Sequence, residues 1–117
     1  MVQTISSAEA LSGRLFNATL EAFDLFAVYL GDRLGYYRVL AEANGAALTS
    51  TELAVRAGAN ERYTREWLEQ QPVSTFLIWE NPSAAPTERR HSLPHEYTAV
   101  FTQPAVGTVG LTQEQAL

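Results

Sequence analysis

The sequence predicts a mainly α domain closed by one β hairpin, and three observations carry that reading. The chain opens with a proline-free stretch from Ser6 to Tyr29 whose apolar residues recur at helical spacing. Two short helical segments follow further on, each preceded by a capping residue (Thr49 and Asn60) and parted by Gly58. A run rich in β-branched and aromatic residues, Thr75-Phe76-Leu77-Ile78-Trp79, then leads through a loop to Arg89-Arg90-His91-Ser92-Leu93.

The first helix opens at Ser6, which stands three residues before Glu9 at capping-box spacing. Its apolar residues fall into two stripes, Leu11-Leu15-Ala18-Ala22-Leu25-Tyr29 and Phe16-Leu20-Phe23-Ala27-Leu30. The stripes are offset by one residue, about 100° on the helical wheel. Together they make a face wider than one core requires. Either one stripe packs on the core and the other on a partner chain, or later helices of this chain cover both. Gly31 is expected to end or kink this helix. A second helix is expected from about Asp32 to Ala43, stopped by Asn44-Gly45, two residues that tolerate the left-handed conformation.

Thr49 and Glu52 form a second capping-box pair at the start of a short helix, with Leu53, Ala54 and Val55 expected to face inward and Gly58 to end it. Asn60 caps the next helix, which runs to about Gln71 and stops at Pro72. Two short helices joined by a tight glycine-bearing turn make a helix-turn-helix. The hairpin that follows, with its Asn81-to-Pro86 loop, is a wing. Pro94 suits the first turn of a last short helix through His95, Glu96, Tyr97 and Val100. The expected architecture is therefore a mainly α winged helix-turn-helix with a long N-terminal dimerisation helix and a two-stranded β wing, spanning residues 1–101. Residues 102–117 read as a flexible tail.

Composition narrows the functional classes. At 117 residues, 46% hydrophobic and 18% charged, the chain suits one folded domain. It has no cysteine, which excludes disulfides, thiolate nucleophiles and cysteine zinc sites. The N-terminal residues do not read as a signal peptide, and no apolar run is long enough to span a bilayer. A cytoplasmic location with no membrane partner is expected. A net charge of −5 disfavours a polyanion as partner unless the few basic groups cluster.

At this point the segment Leu25-Phe26-Ala27-Val28-Tyr29-Leu30-Gly31-Asp32-Arg33-Leu34-Gly35-Tyr36-Tyr37 resembles one near the start of class I S-adenosylmethionine-dependent methyltransferases. It is similar to an actinobacterial-type group, sometimes labelled transcriptional regulators, whose winged helix precedes a Rossmann-like catalytic domain. The likeness continues through Thr51-Glu52-Leu53-Ala54, the helix Glu61 to Gln71, the Asn81-to-Pro86 loop and Arg89 to Pro94. Pro72 and Thr75 depart from it, standing where small residues lead into the wing. The resemblance implies a non-catalytic dimerisation and lid module in a truncated or stand-alone form. The methyl donor would belong to a catalytic domain absent from this sequence, so no cofactor is expected here.

The residues themselves offer two surfaces. Leu15, Phe16, Leu20, Phe23 and Phe26 are the expected homodimer interface. Arg62 and Arg65 on the second short helix, with Arg89, Arg90 and His91 on the wing, are the candidate DNA contacts of the alternative reading, a winged-helix regulator. Against that reading, Glu61, Glu66 and Glu69 share the helix with only two arginines, and phosphate neutralisation supplies most DNA affinity. A free-standing protein-interaction domain is a third reading. His91, His95 and Glu96 do not make a metal site, because Pro94 separates the histidines and no third ligand is evident. Both histidines are expected at the surface. Gly107-Thr108-Val109-Gly110 follows no strand and reads as tail, not as a phosphate loop. No catalytic residue is evident.

Overall fold

The computed structural model describes residues 7–102. They form a winged helix-turn-helix: α1 (Ala8–Arg33), α2 (Tyr36–Glu42), α3 (Ser50–Ala57), α4 (Glu61–Gln70), β1 (Ile78–Trp79), β2 (His91–Ser92), a 3-10 turn at His95–Tyr97 and α5 (Thr98–Thr102). The expected tail lies outside the described residues but for Thr102, which closes α5.

Local chemistry sets most boundaries as expected. Thr49 accepts from the Glu52 N–H while the Glu52 carboxylate accepts from the Thr49 N–H, a complete capping box. Asn60 accepts from Tyr63 N–H at the start of α4. Asn44 and Gly45 both adopt positive φ after α2, and Gly58 does so after α3. At the first helix the cap is Ser7, which accepts from Ala10 N–H, one residue beyond the expected Ser6.

Three expectations are corrected. Gly31 does not end α1; the helix runs on to Arg33, and the stop is Gly35, at φ 78°. Gly31 instead lies buried where the helix meets the body, and a Cβ there would overlap the rings of Trp67 and Tyr37. Its role is close approach. Val55 does not face inward: it is 75% exposed, and Leu53 and Ala54 fill the core side of α3. The strand expected over residues 75–79 shortens to Ile78–Trp79 because Thr75 takes φ 64°. That left-handed residue closes the end of α4, with Thr75 N–H bonded to the Pro72 carbonyl and Phe76 N–H to that of Gln71.

The hairpin pairs antiparallel, Ile78 opposite Ser92 and Trp79 opposite His91. His91 also exchanges both backbone hydrogen bonds with Leu48, at 2.8 Å each, so the wing is stitched to the segment before α3. The core gathers Tyr36, Tyr37, Leu40, Leu53, Trp67 and Leu68 from the helices and Leu77 and Leu93 from the wing. Trp67 lies 4.7 Å from Tyr36 and 5.1 Å from Tyr37, centroid to centroid, and its indole N–H donates to the Ala27 carbonyl at 2.8 Å. The radius of gyration is 17.0 Å, against about 13 Å for a compact domain of this size. The excess comes from α1, whose residues 8–23 touch the body on no side.

Gly31→Ala tests the seating of α1. Overpacking at a site that cannot give should cost about 1–3 kcal/mol. Urea unfolding followed by circular dichroism should show that loss, whereas Gly13→Ala, in open space on the same helix, should be neutral or stabilising.

Candidate functional site

The first candidate surface is the free part of α1. Leu15, Phe16, Leu20, Phe23 and Phe26 are between 48% and 64% exposed, and Leu25 and Leu30 add to them. The later helices of this chain leave most of both stripes exposed; of the two, Ala27 packs against the core and Tyr29 is half-buried. They meet α1 on another line, through Val28 and Gly31, while Asp24 accepts from the Ser74 hydroxyl at 2.5 Å and from the Gln70 amide at 3.1 Å. Arg14, Asn17 and Glu21 continue that line into the arm at three- and four-residue steps. The polar side of the arm is thus in line with the body, and the apolar side points away from it.

The second candidate surface is the helix-turn-helix with its wing. Each arginine expected to contact DNA is held by a carboxylate of this chain. Arg62 faces Glu66 at 3.6 Å and Arg65 faces Glu61 at 3.4 Å, both one turn apart on α4. Arg89 of the wing pairs with Glu69, and Arg90 pairs with Glu52 at 3.1 Å while also donating to the Ala47 carbonyl. Glu52 therefore caps α3 and anchors the wing. The Thr49 N–H bond, with Arg90 and Arg56 nearby, holds its carboxyl below the ordinary range.

His91, expected at the surface, is buried, at 1% exposure. Its place in the short sheet turns the ring between the wing and α4, with Nε2 3.6 Å from the Glu69 carboxylate and the Trp79 ring 6.5 Å away. The Arg89 guanidinium lies 5.5 Å from the same indole. Burial, reinforced by the Arg89 charge, pushes the His91 pKa down to about 4. His95 is exposed on the 3-10 turn, so the two histidines separate. Among the described residues no group of three His, Asp or Glu side chains is placed to hold a metal ion.

Sequence reasoning missed a buried polar row along α4. The Tyr36 hydroxyl shares a 2.7 Å bond with Thr64, and the Tyr37 hydroxyl donates to Gln71. Burial first, then the charges of Asp24 and Asp32, keep the Tyr37 hydroxyl protonated. The available signal was Gln71 directly before Pro72, a polar residue at a helix end that faces inward. No helix among the described residues is long and apolar enough to cross a membrane.

Helix-turn-helix, stitched wing and capped turns define a winged-helix domain. The family model described as the Rv2258c-like winged HTH domain matches residues 23–103, and the chain belongs to that family. Among solved structures, human N-acetylserotonin methyltransferase in complex with SAM is similar at a TM-score of 0.68 and 19% identity, over 93% of this chain and 33% of that one. The chain thus spans about a third of that enzyme's length. RV1404 from Mycobacterium tuberculosis aligns at a TM-score of 0.47 and 10% identity, over 97% of this chain and 83% of that one. No curated protein matches the chain.

The buried imidazole gives a pH signature. Between about pH 6.5 and 4 the unfolded histidine binds a proton that the native one does not. Stability therefore falls as the pH falls through that window, by about 1.4 kcal/mol per pH unit at most. His91→Phe should flatten the decline between pH 7 and pH 5 in urea titrations. An unchanged slope would mean the native imidazole titrates normally.

Proposed function

We propose that this chain is a non-catalytic association module, equivalent to the N-terminal domain of a SAM-dependent methyltransferase, and that α1 binds a second copy of the chain. One observation carries the reading: α1 projects from the body with its apolar side turned outward. Its eight exposed large apolar side chains offer roughly 100 Å² each, about 800 Å² per copy, which is what a stable interface buries on each partner. In this reading methyl transfer, its donor and its acceptor belong to a catalytic domain, and this chain contributes association.

A winged-helix regulator is the second reading, favoured by the fold alone. Its four candidate arginines already face carboxylates, so phosphates would have to displace Glu52, Glu61, Glu66 and Glu69. Surface pairs of this kind hold only about 0–1 kcal/mol each, yet the displaced carboxylates would stay beside the DNA and repel it.

Light scattering on the full chain across a concentration series should give twice the 12.9 kDa monomer mass. Phe23→Asp should weaken that dimer by at least about 100-fold, because an interface carboxylate would be buried unpaired. A wild-type monomer at high concentration defeats the reading. Tight, sequence-selective duplex binding that survives added salt would favour the regulator.

A further inference from the structure

We infer that the winged-helix face of this chain is closed to nucleic acid by its own carboxylates, Glu52, Glu61, Glu66 and Glu69, and that removing their charge opens it to the phosphates of a duplex. The inference concerns the second surface and stands whether or not α1 binds a second copy.

The cations are in place. In a helix-turn-helix the second helix, here α4, is the one that enters the major groove. Arg62, Arg65, Glu66 and Glu69 of that helix line one open hollow of about 540 Å³ with Pro86 of the wing loop. Glu69, on its wall, also holds Arg89 of the wing, and the other wing arginine, Arg90, reaches Glu52 on α3. Tyr63, beside Arg62, is 70% exposed, so the outer side of α4 is open to a large partner. The surface thus has the helix, the wing and the arginines that a duplex requires.

Their charge is cancelled where they stand. Residues 49–93 carry five arginines and six glutamates, a net charge of −1. Within the face the opposition is one to one. Arg62 has Glu66 at 3.6 Å, Arg65 has Glu61 at 3.4 Å and Arg90 has Glu52 at 3.1 Å, and Arg89 pairs with Glu69. Each pair is far shorter than the Debye length of about 8–10 Å, so a phosphate outside it meets a dipole and not a cation. A duplex gains affinity when a protein's cations take the place of its condensed counterions. A cation tied to a carboxylate of its own chain brings an anion with it, and that gain is lost. The fold itself does not depend on these charges. Glutamine at the third position of α3 still closes the Thr49 capping box. The Ser50 hydroxyl, which donates to Glu61 at 2.6 Å, can donate equally to an amide oxygen.

The test variant of the full chain carries Glu52→Gln, Glu61→Gln, Glu66→Gln and Glu69→Gln, which moves residues 49–93 to a net charge of +3. A control carries Glu9→Gln, Glu21→Gln, Glu42→Gln and Glu96→Gln, four exposed carboxylates that pair with no arginine among the described residues. Both variants have an overall charge of −1. Fluorescence anisotropy follows each against a short labelled duplex of mixed sequence at low and at physiological salt, with circular dichroism to confirm the fold. The test variant should bind at least about tenfold more tightly than the wild type at low salt. Its affinity should fall with the logarithm of the salt concentration at a slope of about −3 to −4, as four phosphate contacts require. The control should bind no better than the wild type. A folded test variant that does not bind overturns the inference. So does a control that gains as much, because overall charge and not the pairing would then be the cause. A wild type that already binds as tightly would show that the carboxylates mask nothing. If the test variant does not fold, Glu61→Gln with Glu66→Gln, both on α4 and outside the wing clasp, carries the same test at about half the slope, and no gain from that pair overturns the inference likewise.

Discussion

The close approach of α1 to the body at Gly31 organises this molecule. Only a residue without a side chain lets the helix come near enough for Trp67 and Tyr37 to pack on its backbone. From that seat follow the Trp67 bond to the Ala27 carbonyl and the Asp24 bonds to Ser74 and Gln70. Trp67 also packs against Tyr36, which ties α2 to α4. Because the seat lies near the C-terminal end of α1, the rest of the helix has nothing of its own chain to rest on. A small contact at one end thereby leaves a long apolar arm at the other.

Much of the fold was legible because its boundaries are set locally. Thr49 with Glu52, Asn60, Gly58 and Asn44-Gly45 each act through their own backbone neighbours, and each acts as read. What local signals could not reveal were contacts between distant segments. A glycine in a helical run looks like a stop until the tryptophan that fills its space, thirty-six positions on, is known. Thr75 belongs by propensity to a strand, but the end of α4 needed a left-handed residue and the strand lost it. His91 reads as a wing surface residue because strands this short carry no alternation to follow, and the Leu48 bridge that draws it inward is formed across forty-three positions.

The two candidate surfaces differ in the same way. The apolar stripes were visible from spacing alone, and the structure adds that the body sits on the opposite, polar line. For the arginines, sequence gave the charges but not their partners. Once folded, Glu52 and Glu69 reach the wing from two different helices and hold it against the body. The basic wing is thus a structural clasp, and the unsatisfied demand of the molecule is apolar. The Rv2258c-like winged HTH fold presents both surfaces, the paired basic wing and the exposed apolar side of α1.

The most direct test of that account is hydrogen exchange along α1 as a function of protein concentration. Amides of residues 8–23 should be protected at high concentration and lose protection on dilution, while those near Gly31 stay protected throughout because the body holds them. Rapid exchange of the arm at every concentration would contradict it, since the arm would then have no partner in solution.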